Sequence, residues 1–161
     1  MINTLNITSS YAGDACKKEA VGYHGSHYWS RLLPLHMCGD DPPIHLKEFH
    51  VLLISLRLWG SSWSGQSVEL FCDNTATVEV CVNQKPKDPT MAKLLREFLL
   101  LVVKFKCHPV VKKISTTDNW IADFLSREFP PKITWIFSTH RMSPMTKVDI
   151  PDHQFIFSAS W

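Results

Sequence analysis

Residues 68–72 form a short apolar segment that stops at Asp73 and runs directly into a stretch with helical spacing, residues 74–82. A strand that leads into a helix is the basic unit of an α/β sheet. Further along, residues 109–114 predict another strand, residues 115–118 a turn with capping side chains, and residues 119–126 a short helix. These segments predict an α/β fold.

The other predicted elements lie before and between these segments. Residues 5–12 and 20–29 are rich in Thr, Tyr and Val with glycines between them, which predicts two strands joined as a hairpin. After a proline-rich break, apolar residues recur at helical spacing between residues 46 and 63, and residues 91–105 predict a further helix that Thr90 caps. The predicted order is β, β, α, β, α, α, β, α.

The composition is that of a globular chain with a buried core. With 161 residues, 45% of them hydrophobic and 20% charged, the chain falls in the size range of one domain. The net charge of +2 lacks the clustered basic excess of a dedicated duplex-binding surface, so composition does not indicate a partner. The five cysteines show no CxxC spacing, which predicts reduced thiols that pack as small hydrophobes rather than zinc ligands.

No segment predicts secretion or a membrane span. The N-terminal residues lack a charged stretch followed by an apolar one, and the longest apolar run, residues 98–103, is far below the roughly 20 residues that a span requires. We therefore expect an intracellular protein without membrane contact, and the sequence leaves cytoplasm or nucleus open.

Four acidic residues stand at the ends of predicted elements rather than along solvated faces. Each has an ordinary structural alternative: a turn former for Asp14, a helix-dipole partner for Glu48, a helix N-cap for Asp73 and a solvated residue for Asp123. Carboxylates at strand ends and on flanking helices of an α/β sheet can also converge, and Mg²⁺ prefers such oxygen ligands. Convergence of these four residues is the functional hypothesis.

Convergence would have an electrostatic cost that implies cations. Carboxylates in one pocket repel each other, which raises some of their pKa values unless cations neutralise them. Two metal ions roughly 3.5–4 Å apart would stabilise an in-line displacement at phosphorus, one activating water and the other supporting the leaving oxygen. Phosphodiester hydrolysis would then need no histidine nucleophile.

The sequence resembles the ribonuclease H domain that follows reverse transcriptase in DIRS-type retrotransposons. The resemblance rests on IHLKEFHVLLISLRLWGSSWSGQSVELFCDNTATVEVCVNQ, which begins at Ile44, and LLREFLLLVVKFKCHPVVKKISTTDNWIADFLSR, which ends at Arg127. Ahead of these, GDACKKEAVGYHGSHYWS is similar to the opening hairpin of that family, with Cys16 in place of the usual serine.

The resemblance implies a ribonuclease H-like fold with a mixed five-stranded sheet flanked by helices, over residues 1–128. Residues 129–161 would be an extension, either a peripheral cover or the start of a truncated next segment. The implied function is metal-dependent cleavage of the RNA strand of RNA/DNA hybrids. It uses two Mg²⁺ ions, with Mn²⁺ as an alternative, and a reverse transcriptase domain in the full polyprotein is the implied partner. The implied catalytic and metal-binding residues are Asp14, Glu48, Asp73 and Asp123.

Polar residues beside these carboxylates are candidates for substrate contact. Asn74, Thr75 and Asn119 are expected to contact sugar 2′-hydroxyls or to orient a carboxylate, with helix capping as the alternative. Lys113 departs from the family pattern, because relatives often have a histidine there, and residues 115–118 contain no histidine to act as a proton shuttle. The chain also lacks a basic helical protrusion that would grip the hybrid, so we expect weak activity from this fragment alone.

Two other functions remain open. The domain would be a catalytically inactive or domesticated relic that serves as a scaffold or weak nucleic-acid-binding module, because the chain starts at a methionine just before the domain and contains no polymerase sequence. An integrase or another nuclease of the same superfamily is the third interpretation, and it conflicts with the closing helix around Asp123.

Overall fold

The computed structural model describes residues 7–40, 42–127 and 145–150. The strands are β1 (Ile7–Ala15), β2 (Glu19–His24), β3 (His27–Leu32), β4 (Ser67–Cys72), β5 (His108–Lys113) and β6 (Thr146–Lys147). The helices are α1 (Ile44–Trp59), α2 (Thr75–Asn83), α3 (Pro89–Phe105) and α4 (Trp120–Arg127). Among the described residues, no helix has the length and apolar character needed to cross a bilayer.

The strands form one mixed sheet in the order β5-β4-β1-β2-β3-β6. β1, β2 and β3 pair antiparallel, whereas β4 runs parallel to both β1 and β5. The carboxyl ends of β1, β4 and β5 therefore lie at one edge of the sheet. The predicted α/β class with a mixed sheet flanked by helices is confirmed.

The sheet differs from the prediction in two places. Residues 20–29, predicted as one strand, belong to β2 and β3, because Gly25 adopts a positive φ of 58° and the chain reverses between His24 and His27. A sixth strand, β6, pairs in parallel with β3, so the expected count of five strands is wrong.

Strand β6 shows what part of the predicted C-terminal extension does. The backbone N–H groups of Thr146 and Val148 donate to the carbonyls of Ser26 and Tyr28 at 2.7 Å each. Residues 146–148 thus pair with the sheet edge at β3, while residues 129–144 and 151–161 lie outside the described residues. The boundary between residues 128 and 129 stays a prediction.

The core lies on both faces of the sheet because side chains alternate along each strand. Ala20 and Trp29 pack with α1 and α3 on one face, whereas Val21 and Tyr28 pack with Ala122 and Leu125 of α4 on the other. Trp59 and Trp63 are buried in the larger cluster, which confirms the core role expected of them. Helix α1 passes so close to β2 that a Cβ atom on Gly22 would lie 2.7 Å from Ser55 Oγ.

Two helix caps differ from the sequence-based assignment. Asn74 caps α2, because its side chain accepts a hydrogen bond from Thr77 N, so the capping alternative for Asp73 is wrong. Asp88 caps α3 by accepting from Met91 N, with Pro89 as the first helical residue, so Thr90 is not the cap. The side chain of Asp73 is therefore not used to cap α2.

Candidate active site

Three elements bring the acidic residues to the carboxyl edge of the sheet. Asp14 lies near the end of β1, in register with Val21 of β2, and is only 4% exposed. Asp73 directly follows β4, the parallel neighbour of β1, and is half-buried. Glu48 projects from the second turn of α1, which packs across β1, and is only 2% exposed.

The structure brings Asp14, Glu48 and Asp73 together. Each has a carboxylate oxygen within 4.8 Å of an oxygen of the other two. Asp123 of α4 lies outside this group of three but lines the same cleft, whose volume is about 1080 Å³. All four predicted acidic residues therefore line one cavity, and three of them are close enough to share an ion.

Backbone and side-chain hydrogen bonds hold Glu48 in place. Its Oε1 accepts a hydrogen bond from Ala15 N at 2.9 Å, and the thiol of Cys72 donates to its Oε2 at 3.9 Å. Burial and the neighbouring acids raise the pKa of Cys72 well above its usual value, so the thiol keeps its proton and remains a donor. Glu48 is thus fixed between the ends of β1 and β4.

The electrostatics of the cluster disfavour its full ionisation in the metal-free protein. Burial, followed by the charges of Asp14 and Asp73, raises the pKa of Glu48 well above its usual value. Burial also raises the pKa of Asp73, with a further contribution from Asp123, while Lys113 and a hydrogen bond from Thr116 act in the opposite direction. Buried like charges of this kind are stable when a cation neutralises them.

The donor set fits a hard divalent cation. All the converging ligands are carboxylate oxygens, which suit Mg²⁺ or Mn²⁺, and the described part of the cluster contains no neutral histidine nitrogen that would favour zinc. The described cysteines are free, and the two nearest, Cys16 and Cys72, do not belong to the group of converging ligands. Asp14, Glu48 and Asp73 are the residues that would hold the ion, with Asp123 at the side of the cleft.

The three predicted substrate-binding residues differ in position. Asn74 lines the cleft, and its Oδ1 also caps α2 by accepting from Thr77 N at 3.0 Å. Thr75 is exposed on the first turn of α2. Asn119 is 0% exposed, and its Nδ2 donates to the Gly13 carbonyl at 3.0 Å. Contact between Asn119 and substrate is therefore corrected to a structural role, because burial keeps its amide from the cleft.

Lys113 and Thr116 are site residues that the functional prediction did not include. Lys113 Nζ donates to the Asp73 carbonyl, and Thr116 hydrogen-bonds the Asp73 side chain from the wall of the cleft. Both come from the end of β5 and the turn after it. The parallel register of Lys113 opposite Cys72 places them next to Asp73, and that register is not visible in a single sequence.

No protein-family model matches this chain, and no curated protein matches it in sequence. Solved structures do match. RNase H1 of the halophilic archaeon Halobacterium salinarum superposes with a TM-score of 0.61 at 13% identity, over 74% of this chain and 95% of that one. LC11-RNase H1, from a compost metagenome, was solved in complex with an RNA/DNA hybrid. It superposes with a TM-score of 0.62 at 17% identity, over 79% of this chain and 99% of that one.

The N-terminal RNase H domain of a Mycobacterium tuberculosis protein gives a TM-score of 0.54 at 14% identity, over 74% of this chain and 91% of that one. These similarities define the fold as ribonuclease H-like. This chain therefore has a ribonuclease H-like fold with a carboxylate cluster in its cleft, and its sixth strand is an addition to the expected five.

Proposed function

We propose that this domain is a metal-dependent endoribonuclease that cuts the RNA strand of RNA/DNA hybrids. The observation that carries the proposal is the convergence of Asp14, Glu48 and Asp73 within 4.8 Å, in one cleft of a ribonuclease H-like fold. A structural neighbour was solved with an RNA/DNA hybrid, which supports the choice of substrate.

The four acidic residues have separate roles in this proposal. The cations are bound by Asp14, Glu48 and Asp73, and Asp123 contributes its carboxylate from helix α4 at the side of the same cleft. Two bound Mg²⁺ or Mn²⁺ ions would activate a water molecule and stabilise the leaving oxygen. The hydrogen bonds to Glu48 from Ala15 N and Cys72 keep its carboxylate in place before an ion binds.

The substrate is expected to lie across the open cleft. We expect Asn74 on the wall of the cleft, together with exposed Thr75, to contact the sugar edge of the RNA strand, where the 2′-hydroxyl distinguishes RNA from DNA. The turn between β1 and β2 adds Lys17 and Lys18 to the same wall, and cationic side chains bind the phosphate backbone. In this proposal, the lysines that bind the substrate backbone line the same cleft as the carboxylates that hold the ions.

The origin of the domain is a further part of the proposal. The motif resemblance supports a DIRS-type retrotransposon, in which a reverse transcriptase domain of the full polyprotein would deliver the hybrid. The sequence predicts no basic helical protrusion to grip the duplex, which agrees with such a division of labour.

The test is cleavage of a labelled RNA/DNA hybrid with Mg²⁺ or Mn²⁺. We expect cleavage of the RNA strand, its loss in EDTA, and its abolition by Asp73→Asn, which removes a ligand charge. Asp149→Asn is the matched control, because Asp149 is exposed and does not line the cleft. Activity that survives Asp73→Asn would remove the mechanism, and a folded protein that binds no divalent cation would instead support the scaffold function.

A further inference from the structure

Lys113 occupies a defined position beside the carboxylate cluster. It is the last residue of β5, in parallel register with Cys72, the residue before Asp73. Ile114 N donates to the Cys72 carbonyl at 3.1 Å, which continues the pairing past the end of the strand. The backbone therefore fixes Lys113 next to Asp73, although its side chain is exposed.

The ammonium group of Lys113 acts on Asp73 in two ways. Its Nζ donates a hydrogen bond to the Asp73 carbonyl. Its charge also lowers the pKa of the Asp73 carboxyl, against the raising effects of burial and of Asp123. Thr116, from the following turn, donates to the same side chain. Asp73 thus has a cationic partner beside its carboxyl group.

We propose that Lys113 is a fixed counter-charge that stabilises Asp73 in the metal-free protein and weakens the binding of a divalent cation to the cluster. This inference rests on the proposed metal-binding role of Asp14, Glu48 and Asp73. Lys113 is a positioning residue in this proposal, since it touches Asp73 and not the reacting atoms.

The sign of the effect follows from electrostatics. In the metal-free protein, the ammonium offsets part of the repulsion that Asp73 receives from its acidic neighbours. When a divalent cation binds, the same ammonium repels it. Removing the charge should therefore tighten cation binding, roughly threefold or more in dilute buffer, and the gain should shrink in high salt because the group is exposed.

The experiment is calorimetric titration of the metal-free protein with Mn²⁺ alone, in low and in high salt. Lys113→Met and Lys113→Gln both remove the charge, so agreement between them excludes an effect of one side chain. Lys113→Arg keeps the charge and should bind Mn²⁺ within twofold of the unmodified protein, by the same argument. Lys112→Met is the matched control, because Lys112 precedes Lys113 on β5 but pairs with Glu69 at 3.3 Å.

The expected result is tighter Mn²⁺ binding by both neutral Lys113 variants and no change for Lys112→Met. Unchanged or weaker binding by the neutral variants, or no Mn²⁺ binding by any protein, would overturn the inference. Hybrid cleavage is measured separately on the unmodified protein. If the variants show the shift in Mn²⁺ affinity but the unmodified protein cleaves no hybrid, the proposed nuclease activity is refuted and the role of Lys113 stands. If the unmodified protein cleaves the hybrid but the variants show no shift in affinity, the role of Lys113 is refuted and the nuclease activity stands.

Discussion

Replacing Glu48 with Gln should stabilise the metal-free protein while removing its response to metal. Glu48 is only 2% exposed and has acidic neighbours within 4.8 Å, so its ionised form is disfavoured in the fold. The amide keeps an oxygen that accepts from Ala15 N and gains an N–H that can donate to Asp14. The substitution therefore removes charge with little change in shape.

The size of the effect follows from the distances. Two unit charges 4.8 Å apart repel by about 3.5 kcal/mol at an effective dielectric constant of about 20. Because the pKa of Glu48 is raised, part of the metal-free protein carries a protonated Glu48, and this protonation relieves part of the repulsion. We expect a gain of about 1–3 kcal/mol in the free energy of unfolding, and each kcal/mol raises Tm by about 2–4 °C in a chain of this size.

The assay is urea denaturation in EDTA at neutral pH, followed by thermal melting with and without Mg²⁺. The unmodified protein should gain stability from Mg²⁺, by about 2.7 kcal/mol at a hundredfold excess over Kd, and Glu48→Gln should gain almost none. Glu79→Gln is the control, since Glu79 lies on the exposed face of α2, where its pair with Lys87 at 3.6 Å contributes little. A less stable Glu48→Gln variant, or one that Mg²⁺ stabilises as strongly as the unmodified protein, would refute the reasoning.

The raised pKa of Glu48 also predicts a pH dependence: the contribution of Glu48 to metal-free stability should be greatest below its usual pKa of 4.5 and be lost as pH rises through the folded value. In a urea-denaturation series, the stability advantage of Glu48→Gln over the unmodified protein should therefore grow with pH, and an advantage that stays constant would contradict this. Asn119→Ala should lower the free energy of unfolding by about 1–3 kcal/mol, because it leaves the buried Gly13 carbonyl without its hydrogen-bond donor. Urea denaturation measures the loss, and a loss below about 0.5 kcal/mol would contradict the structural role of Asn119. Gly13→Ala should destabilise the fold more severely than Asn119→Ala, because the added Cβ would clash with the Tyr11 hydroxyl and with Val51. A melting temperature equal to that of the unmodified protein would contradict this, since it would mean that these side chains move aside at no cost.

The sequence predicts the elements whose signal is local. The strand ending at Asp73, the helices α1 and α3, and the closing helix α4 follow from apolar periodicity and turn residues, and the structure contains all of them. The break between β2 and β3 is harder to predict, because Tyr23 and Tyr28 have the strand propensity of a continuous segment. Only Gly25, with its positive φ, marks the turn.

Non-local pairing decides the parts that the sequence leaves open. Single residues do not show that β6 pairs with β3, or that β5 lies beside β4 with Lys113 opposite Cys72. The four carboxylates could be proposed as a site only as a set, since each has an ordinary role in isolation. For Asn119, the local sequence suggests a role that the structure replaces. Its position just before α4 resembles that of a helix cap, but its side-chain amide donates a hydrogen bond to Gly13 of β1, 106 residues away in sequence.

The two-residue strand β6 has a practical consequence for anyone who shortens this protein. A fragment that ended with α4 would lose the hydrogen bonds to Ser26 and Tyr28, and β3 would become an open border of the sheet. Unpaired borders of this kind recruit strands from other molecules and promote aggregation. Expression fragments should therefore extend at least to Ile150, which packs against the larger core cluster.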